Sequence, residues 1–291
     1  MAFLRTVLVL SRPWRLLTVW SNCLAGWWLG GGGNLDQLPF LFAGGALLHL
    51  GGAFLNDAFD ADYDREHRRS RPIPSAAVTQ GIVWRWGLGW LVAGALLLVW
   101  RGKLTGTVAL ALVFCIILYN TVHRLITVAP TLEGTCRCLF YLLGASLAER
   151  GVTGWSIWCG LALAAYTAGA GMLAGSGNKP PERRYGALGL LAVPIALALI
   201  MDVDGYREAG LLLSAVVAIW TIRSLRPLWS PEPNITRTTS GLIAGIILVD
   251  WLATCPALLP GRFNDGPRQL SFAFLGLFLA TLLLQRLVPD P

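Results

Sequence analysis

The densest chemistry in this chain lies between residues 54 and 75, which read Phe-Leu-Asn-Asp-Ala-Phe-Asp-Ala-Asp-Tyr-Asp-Arg-Glu-His-Arg-Arg-Ser-Arg-Pro-Ile-Pro-Ser. Wound as a helix at about 100° per residue, the run places Asp57 and Asp64 about 20° apart and Asp60 about 60° from Asp57, with Asn56 and Asp60 as i, i+4 neighbours. One helical face thus presents three carboxylates and an amide. Such hard oxygen donors suit Mg²⁺, which is commonly held by one or two carboxylates with water and substrate phosphates in its remaining positions. The guanidinium groups of Arg68, Arg69 and Arg71 follow directly and have the fork geometry that clamps phosphate oxygens. Ionised groups beside hydrocarbon are costly, so an acidic cluster at the end of an apolar run calls for a ligand.

The elements that must position these residues are membrane helices. Of 291 residues, 55% are apolar or aromatic and only 13% are charged, with a mean hydropathy of +0.60. An ordinary soluble domain carries about 25% charged residues, so a soluble globule is excluded. The apolar residues fall into ten runs, 13–31, 38–58, 82–100, 104–120, 133–149, 153–174, 185–202, 207–225, 239–258 and 268–288, each long enough to cross hydrocarbon as a helix. No long polar stretch separates them, so residues 1–291 are expected to form one integral-membrane domain. With the N-terminus inside, 17 of the 23 Lys and Arg residues border the cytoplasmic side, which is the positive-inside orientation. The same placement explains the net charge of +7 without nucleic acid.

Other candidates are weaker. The six cysteines form no CxxC pair and read as small buried residues. Gly30 to Gly33 lack the GK[ST] of a phosphate loop and read as a turn. His49, seven residues before Asn56, lies on the same helical side two turns deeper, where it lines a cavity or makes a structural hydrogen bond. Glu133 and Arg137 are spaced i, i+4 and read either as an ion pair or as functional groups, while Asp250 is an intramembrane carboxylate to which the sequence assigns no partner.

The acidic run resembles the first aspartate-rich motif, NDxxDxxxD followed by RPxPS, of the UbiA superfamily of intramembrane prenyltransferases. Asn56, Asp57, Asp60 and Asp64 fill its places, and Arg71-Pro72-Ile73-Pro74-Ser75 follows. The resemblance implies an all-α polytopic bundle, usually of nine spans, around a lipophilic cavity with a polar cytoplasmic cap. It implies that a prenyl diphosphate held through Mg²⁺ ionises and alkylates an acceptor. In that reading Asp57 and Asp60 hold metal, Asp64 completes its shell, and Arg71 with Arg124 or Lys179 binds diphosphate. Asn56, Arg68, Tyr119, His123 and Arg137 complete the substrate site, Tyr119, His123 and Arg124 lying where the family commonly has a Tyr and a Lys-Arg pair. The string from Cys136 to Gly144 is similar to the EboC-type UbiA-like branch.

Ten apolar runs against the usual nine spans are one departure from the family pattern, so nine to ten transmembrane helices are expected, and the second departure is the one that bears on chemistry. Residues 171–186, where a second acidic motif belongs, contain no aspartate and carry Lys179, Arg183 and Arg184 instead. Cations neutralise diphosphate in place of a second metal. The departure leaves two alternatives beside prenyl transfer: a protein that binds or moves a lipid diphosphate without cleaving it, and a secondary transporter. The expected partners are prenyl diphosphate, an unidentified acceptor and membrane lipid, with no obligate protein partner. The expected location is the plasma membrane of a prokaryote, with the acidic and basic loops on the cytoplasmic side.

Overall fold

A computed structural model describes residues 2–175, 182–201, 207–255 and 266–288. Among these residues the regular structure is helical throughout, with twelve α-helices: α1 (Ala2–Ser11), α2 (Pro13–Leu29), α3 (Leu38–Phe59), α4 (Ala61–His67), α5 (Gln80–Val99), α6 (Lys103–Val122), α7 (Ala129–Ser146), α8 (Gly154–Ala174), α9 (Glu182–Ile200), α10 (Arg207–Leu225), α11 (Ile235–Ala253) and α12 (Gly266–Leu287). Every one of the ten apolar runs is occupied by a helix of 17 to 22 residues. Seven helices among the described residues are long and apolar enough to cross a membrane. The other three do not reach that standard: α2 has 17 residues, the described apolar part of α9 runs from Tyr185 to Ile200, and α7 is interrupted by Glu133 and Arg137. The protein is an integral membrane protein.

Burial sorts the helices. The most apolar windows of α8 and α11 are 56% buried, whereas that of α12 is 17% buried and turns Phe272, Leu279 and Leu283 outward. Between apolar helices in lipid no hydrophobic force operates, so association rests on close packing and interhelical hydrogen bonds. Both are present where α2 crosses α7. A Cβ on Gly26 would run into the Tyr141 carbonyl, and one on Gly144 into the Cys23 carbonyl. The backbones therefore touch. Hydrogen bonds tie α11 to its neighbours: Tyr166 on α8 donates to the Leu242 carbonyl at 3.1 Å, Trp220 on α10 to Gly241 at 2.8 Å, and Gln285 on α12 to Ser240 at 2.9 Å.

The α2–α7 contact brings a polar knot into the bundle. Asp250 on α11, fully buried, accepts hydrogen bonds from Tyr141 Oη at 2.7 Å, from Asn22 Nδ2 at 2.8 Å and from Ser21 Oγ. Asn22 Oδ1 in turn accepts from Arg137 Nη1 at 3.0 Å. The carboxylate without an expected partner thus has three donors from two other helices, and a guanidinium one residue further on. Arg137 makes this contact rather than an ion pair with Glu133.

Gly26→Ala and Gly144→Ala should each destabilise the protein by about 2 kcal/mol through overpacking at the α2–α7 crossing. Thermal denaturation in detergent checks this, and an unchanged midpoint for both would show that the crossing relaxes freely.

Candidate functional site

The acidic motif straddles the junction of α3 and α4. The helical ladder runs through it, with Asp60 N bonding the Asn56 carbonyl at 3.0 Å and Asp64 N the Asp60 carbonyl at 2.9 Å, so the expected helical face is preserved. Asp57, Asp60 and Asp64 point inward, at 5%, 5% and 1% exposure, while the Asp62 side chain stays in solvent.

Each buried carboxylate is met by cations. Asp57 Oδ1 accepts from Arg12 Nη2 at 2.6 Å and Arg71 Nη1 at 3.0 Å, and Arg12 also reaches Asn56 Oδ1 at 2.8 Å. Asp64 Oδ2 lies 3.3 Å from Arg71 Nη1. Asp60 Oδ1 is bound by Arg124 Nε and lies 3.0 Å from His123 Nε2. His123 stacks on Tyr119, and the Arg124 guanidinium sits 3.7 Å above the Tyr63 ring. Burial pushes the Asp60 carboxyl up, but hydrogen bonds and charge from His123 and Arg124 overcome it and hold Asp60 well below the usual carboxylate range. Burial also raises Asp64, where the opposing charge of Arg71 falls short. Arg71 is lowered by its own burial despite Asp57, and Arg124 is raised by its bond to Asp60.

Two local devices aim these guanidinium groups. In the loop after α4, Ile73 is buried with Leu10, Phe54, Ala58, Ala61 and Val83, while Ser75 N closes a turn on the Arg71 carbonyl at 3.0 Å. The flanking prolines thus fold Arg71 back over Asp57 and Asp64. Arg12 sits between α1 and α2 in the left-handed region at φ 45°, ψ 61°, directly before Pro13. That conformation costs a non-glycine residue roughly 1–2 kcal/mol. The bonds to Asn56 and Asp57 repay it.

Above this layer opens a cleft of about 610 Å³, bordered by Arg12, Arg15, Arg68, Arg71 and Arg124 against two carboxylates, Asp60 and Glu133. Its apolar wall comes from α8 and α11, including Met172 and Ile246. The lining carries three more cationic than anionic groups, so its natural occupant is an anion. A smaller pocket of about 120 Å³ continues deeper and shares Arg12, Arg15, Asn56, Tyr119 and Glu133 with the cleft. Arg137 and His49 line this deeper pocket rather than the cleft.

The structure therefore brings together Asn56, Asp57, Asp60, Asp64, Arg68, Arg71, Tyr119, His123 and Arg124 and places Arg137 below them, while Lys179 lies outside the described residues. Arg12 and Arg15, which sequence reasoning counted only as topological charges, belong to the site. Their one sequence signal is a pair of cations flanking the proline that starts a span.

Asp57, Asp60 and Asp64, the expected metal ligands, do not form a ready-made cage. Among the described residues no three carboxylate, imidazole or thiol groups gather closely enough to hold a metal ion. Arginines have taken up the space between Asp57 and Asp64, which carry no preformed cage. The donors fit Mg²⁺ in a narrower sense: the buried Asp64 Oδ1 has no hydrogen-bond partner, and one or two such carboxylates suffice when phosphate oxygens and water complete the shell.

A family model for the UbiA prenyltransferase family matches residues 19–287. Among solved structures, the chain is similar to digeranylgeranylglyceryl phosphate synthase at 18% identity and a TM-score of 0.65, over 88% of this chain and 99% of that one. It is similar to a UbiA homologue from Aeropyrum pernix K1 in its apo form at 15% identity and a TM-score of 0.68, over 80% and 94%. A UbiA homologue from Archaeoglobus fulgidus bound to GPP and Mg²⁺ matches at 14% identity and a TM-score of 0.52, over 95% and 98%. At these identities the likeness is one of fold. No curated protein matches the chain.

Arg12→Ala should weaken binding of inorganic diphosphate by roughly 10- to 100-fold, the value of a charge-assisted hydrogen bond, in titration calorimetry on the purified protein. Unchanged affinity would confine Arg12 to holding Asp57. Because the folded-state pKa of Asp60 is depressed, its charge stabilises the fold above the ordinary carboxylate value of about 4, and that contribution is lost as pH falls below it. The stability gap between wild type and Asp60→Asn should accordingly be full at neutral pH and shrink in acid, as read by thermal melts at both.

Proposed function

The chain belongs to the UbiA prenyltransferase family, and we propose that it transfers a prenyl group from an isoprenoid diphosphate to an acceptor within the membrane, with Mg²⁺. The observation that carries this reading is the five-arginine cleft seated on three buried aspartates and opening onto an apolar wall. Anionic head and greasy tail of one molecule find matching surroundings there.

In this mechanism Arg12, Arg68, Arg71 and Arg124 bind the diphosphate and stabilise the negative charge that grows on it as the C–O bond breaks. Lys179, outside the described residues, is proposed as a further diphosphate cation from its sequence position alone. Asp57, Asp60 and Asp64 would hold Mg²⁺, which when bound supplies Lewis-acid neutralisation of the leaving diphosphate. Asn56 and His123 keep Arg12 and Asp60 in place, and Tyr119 walls the passage between cleft and deeper pocket. The apolar side of the cleft excludes water from the allylic cation. The Archaeoglobus fulgidus homologue, bound to GPP and Mg²⁺, supports both the substrate class and the metal. We place the whole chain, 1–291, in one membrane domain of a prokaryotic plasma membrane, and its charge asymmetry supports a cleft that faces the cytoplasm.

One observation favours the second reading, binding without transfer: each of the three aspartates is engaged by a guanidinium group. Labelled prenyl diphosphates incubated with protein-containing membranes and an extract of the native cells separate the two. A labelled lipid that requires Mg²⁺ and falls by roughly 100-fold or more in Asp57→Asn/Asp60→Asn is expected for transfer. Retained diphosphate binding with no product would establish the second reading instead.

A further inference from the structure

The pocket beneath the cleft has a hydrogen-bonding inventory that nothing in the diphosphate chemistry uses. Asn120 on α6 donates through Nδ2 to the Ile116 carbonyl at 3.0 Å and the Gly52 carbonyl at 3.3 Å, which fixes its amide so that Oδ1 is the atom left over. That oxygen is buried and has no hydrogen-bond partner among the described residues, and the same holds for Nε2 of His49. Both residues line the pocket, as does the Glu133 carboxylate. An amide oxygen is purely an acceptor and a carboxylate likewise, so the occupant must bring hydrogens to these atoms. Leaving such groups unpaired in a buried place costs more than the bond itself returns, which makes them recognition elements rather than filler.

Opposite these acceptors stand donors. Arg12 and Arg15 hang at the upper rim, and Arg137 lines the pocket in a fixed pose, because Asn22 and behind it Asp250 hold its guanidinium. The pocket therefore alternates acceptors for hydrogens with donors for oxygens at close quarters. At about 120 Å³ it admits a small head only. Hydroxyl groups both donate and accept and match this alternation. An aromatic acid brings one hydroxyl and a flat ring, and leaves Asn120 Oδ1 or the Glu133 carboxylate without a hydrogen.

We propose that this pocket binds the hydroxyl-rich head of the acceptor, a small polyol that is either free or carried on a lipid, with Asn120 and Glu133 receiving its hydroxyl hydrogens, His49 hydrogen-bonding a hydroxyl through Nε2 and Arg137 holding its oxygens. The inference rests on the prenyl-transfer reading and names its acceptor class. In the transfer, a hydroxyl oxygen of the polyol forms the bond to C1 of the prenyl group. The bond from C1 to the diphosphate oxygen breaks with its electron pair on the diphosphate, which also takes up the hydroxyl proton. The product is a prenyl ether, and no oxidant or reductant is needed.

The test uses the full-length protein in phosphatidylcholine nanodiscs with Mg²⁺ and labelled geranyl diphosphate. Glycerol, myo-inositol and 4-hydroxybenzoate are added singly, and a further arm replaces part of the lipid with phosphatidylinositol. Label in a polyol ether identifies a free acceptor, and label in phosphatidylinositol a lipid-borne one. Either result is expected to fall about tenfold in kcat/KM, through KM, in Asn120→Leu and again in His49→Leu, while geranyl diphosphate binding stays within twofold. If Asn120→Leu fails to fold, His49→Leu decides by the same readout. Label in 4-hydroxybenzoate alone, label in no polyol from a protein that binds geranyl diphosphate, or polyol labelling unaffected by either substitution overturns the proposal. Absence of geranyl diphosphate binding in wild type overturns the prenyl-transfer reading on which it rests.

Discussion

Three carboxylates buried at the edge of hydrocarbon would be prohibitively costly without positive charge against them, and the architecture around α3 and α4 answers that constraint. The left-handed turn at Arg12, the proline-bracketed loop carrying Arg71 and the end of α6 carrying His123 and Arg124 all converge on Asp57, Asp60 and Asp64. The cations neutralise the carboxylates, and their remaining donors leave the mouth of the cleft positive. Stability and anion binding thus draw on the same guanidinium groups.

Deeper in the bundle the problem is the reverse, a single carboxylate among apolar helices. Asp250 is tolerated because α2 and α7 approach backbone to backbone at Gly26 and Gly144, close enough for Ser21, Asn22 and Tyr141 to reach it together. The same approach carries Asn22 to Arg137 and so sets a guanidinium on the wall of the deeper pocket. Packing of small residues, hydrogen bonding in low dielectric and the shape of a binding pocket are therefore one feature viewed at three scales. A side chain added at the glycines would be felt at Arg137, with Asn22 and Asp250 as the intermediaries.

The two cavities share a wall, and this gives the site its polarity. Arg12, Arg15, Asn56, Tyr119 and Glu133 belong to both, so an occupant of one is in contact with the groups that sense the other. The upper space is cationic on one side and apolar on the other, suited to an amphiphilic anion. The lower one is small and hydrogen-bonding.

Much of this protein was written locally. Composition and run length determined a helical membrane protein, and each apolar run became a helix, because in hydrocarbon the backbone has no other way to satisfy itself within one segment. The spacing of Asp57, Asp60 and Asp64 determined that they share a face, since helical periodicity is a local property. Only the tertiary structure decided what that face meets. Arg12 is 45 residues from Asp57, Arg124 is 64 from Asp60, and Asn22 is 228 from Asp250, and no local pattern encodes such pairings. For the same reason the cations that meet Asp57, Asp60 and Asp64, and the bond from Arg137 to Asn22 where an ion pair with Glu133 is one of two sequence readings, emerge only in the folded bundle. A sequence states which charges must be compensated; the partner is chosen by which helices pack closely enough to supply it.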